Sequence, residues 1–178
     1  MLNATHFLNE EEKKKNNEPS VVLMRTDFFE RMMSYHTKNF GATGLSMIYS
    51  MGFANGKYEV FQLRDELLEL EAPITKSVLL EKTLQRITHM GWGSIHISEF
   101  NQITSEVKVE ISFNPFRAKC QSVNNGGCHF LQGYVAGVIS EVLGEEVTYN
   151  ETRCMKSGDC ECLLLLRKAV GEPKHPAS

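Results

Sequence analysis

The stretch from Cys128 to Cys162 limits what this chain can fold into more than any other, because it gathers four of the five cysteines. It reads Cys128-His129-Phe130-Leu131-Gln132-Gly133, then a helical run to about Leu143, then Glu151-Thr152-Arg153-Cys154, a turn at Gly158-Asp159, and Cys160-Glu161-Cys162. Zinc takes thiolate, imidazole or carboxylate ligands, four of them in structural sites. The stretch offers Cys128, Glu151, Cys154 and Cys162 as such a set, with Cys160 competing for the last place. A single cysteine is more often a small buried hydrophobe than a ligand; the crowding is what points to a metal. Cys128 follows Asn-Asn-Gly-Gly and so opens a helix, where the unpaired N–H groups and the dipole favour a thiolate. Glu151 and Cys154 differ in strand parity, so both can reach one ion only if the strand twists or bulges between them.

The rest of the composition narrows the class. A chain of 178 residues fits one domain with a sizeable core. A formal net charge of −3 and no basic stripe argue against direct nucleic-acid binding. The longest fully apolar run, Leu163 to Leu166, is far short of the ~20 residues that span a bilayer. No basic region followed by an apolar run opens the chain, and the odd cysteine number suits a reducing compartment, so a cytoplasmic location is expected.

Residues 1–19 read as a polar arm around Glu10-Glu11-Glu12-Lys13-Lys14-Lys15, and residues 169–178 as a tail. Between them, 20–168 forms one domain. Val21 to Met24 could be a buried strand. From Phe28 the residues Phe28, Met32, Tyr35 or His36, and Phe40 recur at helical spacing, and the helix should end near Gly41. Thr43 can start a second helix, with Gly44, Ile48 and Met51 or Gly52 on a face of small residues that permits close packing. Asn55-Gly56 marks a break or kink, after which Tyr58 to Leu70 continues as helix with Phe61, Leu67 and Leu68 apolar. Thr75 to Met90 is another helix, with Leu80, Leu84 and Ile87 aligned.

The period then changes from helix to strand. Ile95 and Ile97 alternate with polar residues, and Val107, Val109, Ile111 and Phe113 do so more clearly. After a loop, a helix from Cys128 presents Leu131, Val135, Val138 and Val142. Glu146 to Cys154 and Cys160 to Lys168 make a second hairpin, whose last strand, apolar on both faces, should be covered on both sides. Two hairpins joined by a helix make an antiparallel sheet with the N-terminal helices packed on it, an α+β architecture.

No catalytic constellation accompanies this plan. There is no Gly-x-Ser-x-Gly elbow and no phosphate-binding glycine loop, and Gly91-Trp92-Gly93 leads into a strand rather than a helix. His36, His89, Trp92, Phe130, Tyr134 and Tyr149 could line an apolar pocket between helices and sheet, although aromatic residues are more often plain core.

The run Cys128-x-Phe130-x-x-Gly133-x-x-x-Gly137, then Glu151-x-x-Cys154-x-x-x-Gly158-Asp159-x-x-Cys162 and apolar residues, resembles the 4-vinyl-reductase domain. Gly44-x-x-x-Ile48-Tyr49-x-x-Gly52 and Gly91-Trp92-Gly93 extend the likeness to about residues 20–168. The resemblance implies a fold related to Golgi transport-particle subunits, homodimerisation, and a cavity for a small hydrophobic or aromatic ligand. It also implies Zn2+ held by Cys128, Glu151, Cys154 and Cys162, to the exclusion of Cys160. Phenol- and xylene-responsive activators carry such a domain ahead of an ATPase and a helix-turn-helix, which are not found here, so a signal would pass through a dimer or to a separate effector protein. The expected function is a zinc-stabilised binding or sensing module. An enzyme or accessory protein of tetrapyrrole vinyl-group metabolism, and an assembly scaffold, are the alternatives.

Overall fold

A computed structural model describes residues 24–69, 74–101, 103–115, 127–153 and 162–168. Helix α1 (Thr26–Glu69) is broken at Gly41, whose φ of 54° and ψ of −129° lie outside the helical region and in a zone that only glycine enters without strain. The break divides α1 into two arms that cross closely: a Cβ at Gly44 would collide with the carbonyl of His36. Helix α2 (Lys76–His89) starts under an N-cap, Thr75 Oγ1 accepting from Val78 N at 3.2 Å, and buries Leu80, Leu84 and Ile87 as its spacing predicts. Strands β1 (Ser94–Asn101) and β2 (Glu106–Phe113) form the first hairpin. Helix α3 (Gly127–Leu143) leads to the second, β3 (Val147–Arg153) and β4 (Cys162–Lys168). All pairings are antiparallel and the sheet order is β1-β2-β4-β3. The α+β plan of two hairpins joined by a helix is therefore the fold.

Helix α3 is the centre of the molecule. Every residue from Phe130 to Ser140 is buried, where the sequence pattern offers one core face, because α1 covers one side and the sheet the other. Reciprocal glycines make the contact with α1. A Cβ at Gly52 or Gly56 would run into the carbonyls of Phe130 and Tyr134, and one at Gly133 or Gly137 into those of Tyr49 and Phe53. Two Gly-x-x-x-Gly pairs thus remove the side chains that would hold the helices apart, and backbone meets backbone. Lys76 Nζ donates to the Leu143 carbonyl at 2.8 Å, a cation at the C-terminal end of α3. Ion pairs from Lys57 and Arg64 to Glu141 tie α1 to the same end.

Several expectations are corrected. The chain does not kink at Asn55-Gly56: the helix runs through, and Gly56 serves the contact with Tyr134. In the first arm the buried residues are Phe29, Met33 and Thr37, one position on from the spacing read through Phe28, Tyr35 or His36, and Phe40; Phe28, Tyr35 and Phe40 are exposed. Phe61 and Leu68 are exposed as well. Val107, Val109 and Ile111 are buried, but Phe113, at the strand's end, is 55% exposed. Strand β4 is buried on one face only, with Cys162, Leu164 and Leu166 inside. Leu163 and Leu165 are half-buried, and they stand opposite Glu110 and Lys108 of β2. Val21 to Leu23, the 1–19 arm and the tail lie outside the described residues.

Candidate functional site

Two features meet along α3, one at its N-terminal end and one along its side toward α1. At the end, Cys128 and Cys162 are both buried, at 4% and 3% exposure. Strand β2 links them: Cys162 stands opposite Ile111, and three residues further on the buried amide of Asn114 donates to Cys128 Sγ at 3.7 Å. An N–H aimed at sulfur favours the thiolate, the form a metal ligand takes. The backbone of Glu151 pairs with that of Leu164, two residues after Cys162 on β4. A register shift follows at once, with Arg153 opposite Leu163. One inserted residue reverses strand alternation, which is the condition needed for Glu151 and a ligand three positions later to share an ion. The side chain of Glu151, together with Cys154, Cys160 and Cys120, lies outside the described residues. One turn after Cys128, Gln132 is 4% exposed, and its Oε1 has no hydrogen-bond partner among the described residues.

The second feature is a packed aromatic group. Phe29 of the first arm of α1 meets Trp92 edge-on at 5.5 Å and Phe130 edge-on at 5.1 Å, while Trp92 stacks on Phe130 at 5.3 Å. Tyr134 lies 6.2 Å beyond Phe130. Its hydroxyl donates to Glu59 Oε2 at 3.4 Å. Arg86 Nε lies 2.8 Å from Glu59 Oε1, an ion pair without hydrogen-bond angles, and Arg86 also reaches Glu66 at 2.8 Å. Burial, with the Glu59 carboxylate adding to it, pushes the Tyr134 hydroxyl far above the ordinary tyrosine range, so it stays a donor.

Of the predicted pocket residues, Trp92, Phe130 and Tyr134 therefore come together. Tyr149 belongs elsewhere: it stacks on Tyr49 at 5.5 Å beside a surface cleft of about 300 Å³ that His129, Ser46 and Ser50 also line. Burial, with Tyr149 adding to it, raises the Tyr49 hydroxyl to about 12. His89 lies at the exposed end of α2 in an open groove with Leu63 and Arg86. His36 holds its own helix through Nδ1 and the Met32 carbonyl, 2.9 Å apart, and packs between Tyr35 and Phe40. Sequence reasoning missed Phe29, Asn114 and the Glu59–Arg86 pair. Asn114-Pro115 carried a signal only as a strand stop, and adjacent Phe28 and Phe29 left the helix phase ambiguous.

A sheet of two hairpins covered by a central helix and a broken glycine-faced helix defines the class, a small α+β domain. More particularly, residues 107–168 match the vinyl-4-reductase domain family, so the 4-vinyl-reductase domain recognised from the cysteine–glycine motif is present over that stretch. No curated protein matches the sequence. Among solved structures, the chain is similar to the phenol-responsive sensory domain of the transcription activator PoxR, crystallised with phenol. Identity is 17% and the TM-score 0.69, over 85% of this chain and 78% of that one. It is also similar to a trafficking protein particle complex subunit 3 from Naegleria fowleri covalently bound to palmitic acid, at 12% identity and a TM-score of 0.51, over 81% and 96% of the two chains. An H-NOX protein from S. oneidensis in the Fe(II)NO ligation state follows at 11% identity and 0.53, over 89% and 86%. At such identities these structures share the fold. No helix among the described residues is long and apolar enough to cross a membrane.

Proposed function

We propose that this protein is a zinc-stabilised module that binds a small hydrophobic or aromatic molecule and passes the event on through a dimer surface or a separate effector. The observation that carries the reading is the aromatic group of Phe29, Trp92, Phe130 and Tyr134, which joins the first arm of α1, the start of β1 and the side of α3. Its rings offer apolar contact, and the Tyr134 hydroxyl is held as a donor by Glu59. The family match and the likeness to a phenol-bound sensory domain support it. Because Phe29 lies before the Gly41 break, a ligand wedged among these rings would move the first arm against the second.

The buried Cys128 and Cys162, the amide of Asn114 on Cys128 Sγ and the bulge after Glu151 fit a metal held by Cys128, Glu151, Cys154 and Cys162. Four protein ligands leave no open position, so the ion would clasp the start of α3 to the second hairpin rather than act on a substrate. Its loss should lower the melting temperature sharply, since structural zinc contributes on the order of 10 kcal/mol. A metal assay that returns no zinc from native protein sinks this part.

Trp92 is the chain's one tryptophan, so its fluorescence reports the aromatic group directly. Titration with phenol and alkyl-substituted phenols should change its emission saturably, and Phe130→Ala should abolish the change. Flat titrations across such ligands refute the binding reading. Turnover of a vinyl substrate with a supplied reductant would replace it with the tetrapyrrole enzyme.

A further inference from the structure

The second arm of α1 carries a regular apolar seam on the side opposite its glycines. Met47, Met51, Ala54, Tyr58, Phe61 and Leu68 are all exposed, the large ones by 40% to 62%. Their spacing, with Asp65 between the last two, alternates four and three residues, the heptad period that keeps one stripe facing a partner helix. The buried positions Ile48, Gly52, Gly56, Val60, Leu63 and Leu67 occupy the other side. No described element packs on the outer stripe. A solvent-facing helix side is ordinarily charged; this one is apolar for three consecutive heptads.

We propose that this seam is the surface on which two copies of the chain pair, antiparallel, about a two-fold axis near the middle of the arm. This rests on the dimeric reading above and names its surface. A heptad stripe is complementary to itself, so the occupant it fits best is a second copy. Taking roughly 200 Å² for a fully exposed aromatic side chain, the seam offers about 600 Å² of apolar area. Two copies would then bury about 1,200 Å², the lower end of what a stable interface needs. Asp65, exposed within the seam, selects the direction. Parallel pairing sets Asp65 against its own copy, two like charges in one layer. Antiparallel pairing with Ala54 opposite the second copy's Tyr58 brings Asp65 beside Met47 and Met51 opposite Phe61, keeping the two carboxylates apart.

Sedimentation velocity over a concentration series tests the surface. Wild-type protein should be dimeric, and Phe61→Glu should weaken the dimer at least about 30-fold, as loss of a central aromatic anchor does, with an unchanged circular dichroism spectrum. Lys82→Glu on exposed α2 should leave it intact. A wild-type monomer at all concentrations, or a dimer indifferent to Phe61→Glu, overturns the proposal. Direction is read by mild oxidation and mass spectrometry: Ala54→Cys chains mixed with Tyr58→Cys chains should yield the 54–58 cross-link. Preferential 54–54 and 58–58 links overturn the antiparallel arrangement. Trp92 titration with phenol on the same samples separates the two readings, since a dimer that binds no phenol removes the ligand and keeps the seam, while a phenol-binding monomer does the reverse.

Discussion

On its inner side the second arm of α1 meets α3 through glycines; on its outer side it carries methionine, tyrosine, phenylalanine and leucine with no described element against them. The inner face uses the absence of side chains. Its stabilisation comes from backbones at van der Waals distance over two reciprocal Gly-x-x-x-Gly pairs, and nothing on that face can grow without separating the helices. The outer face has the opposite property. Its residues are large but individually replaceable, because water or a partner can adjust to them. The same helix thus has one side whose identity is dictated atom by atom and one whose identity matters only as a pattern.

The contrast can be tested from the largest effect down. Gly133→Val places a branched side chain against the Tyr49 carbonyl and should cost about 3 kcal/mol or more in chemical denaturation, since overpacking that must move backbone lies at the high end of its range. A loss below about 1 kcal/mol would show that the inner contact can yield. Arg86→Ala removes the partner of Glu59, whose side chain is only 16% exposed, and should destabilise by about 1–3 kcal/mol. Replacing both Arg86 and Glu59 with apolar residues should recover part of that, which a double-mutant cycle would measure.

Tyr49, at the edge of the inner face, supplies a pH signature. Its folded-state pKa of about 12 exceeds the ordinary value of 10.0, so the folded protein keeps this proton after the unfolded chain begins to lose it. The contribution is complete below pH 10 and disappears as pH rises toward 12. Melting curves should steepen their decline across that window, and Tyr49→Phe should flatten it. An identical slope in the variant would rule the hydroxyl out as the cause. Smallest of all, Met51→Gln on the outer face should change the stability of the dilute, unpaired chain by less than about 0.5 kcal/mol. A large loss would mean that a segment of the same chain covers the seam.

Much of the fold was legible because strand alternation and helix spacing are local. Val107, Val109 and Ile111 announce a half-buried strand, and Leu80, Leu84 and Ile87 a helix face, through the geometry of the chain alone. Phase was harder to read. Phe28 and Phe29 are adjacent, either can begin a helical series, and only packing against Trp92 and Phe130 selects Phe29. At Phe61, Leu68 and Phe113, hydrophobicity predicted burial, whereas the location of the neighbouring layer decides it. The candidate site divides similarly. Trp92, Phe130 and Tyr134 were named from sequence and meet; Tyr149, His36 and His89 were named with them and go to other places, because an aromatic residue signals apolar demand without saying where it is met.

By itself the sequence determined the order and type of the elements, the cysteine–glycine motif of the vinyl-4-reductase domain, and the small residues that let helices approach closely. These depend on backbone periodicity and on atoms that are present or missing at one position. Tertiary structure decided what each glycine is for: Gly41 breaks α1 through its dihedral angles, whereas Gly56, read as a break, makes room for the Tyr134 carbonyl in an unbroken helix. A missing side chain permits either outcome, and only the backbone lying opposite determines which of them lowers the energy.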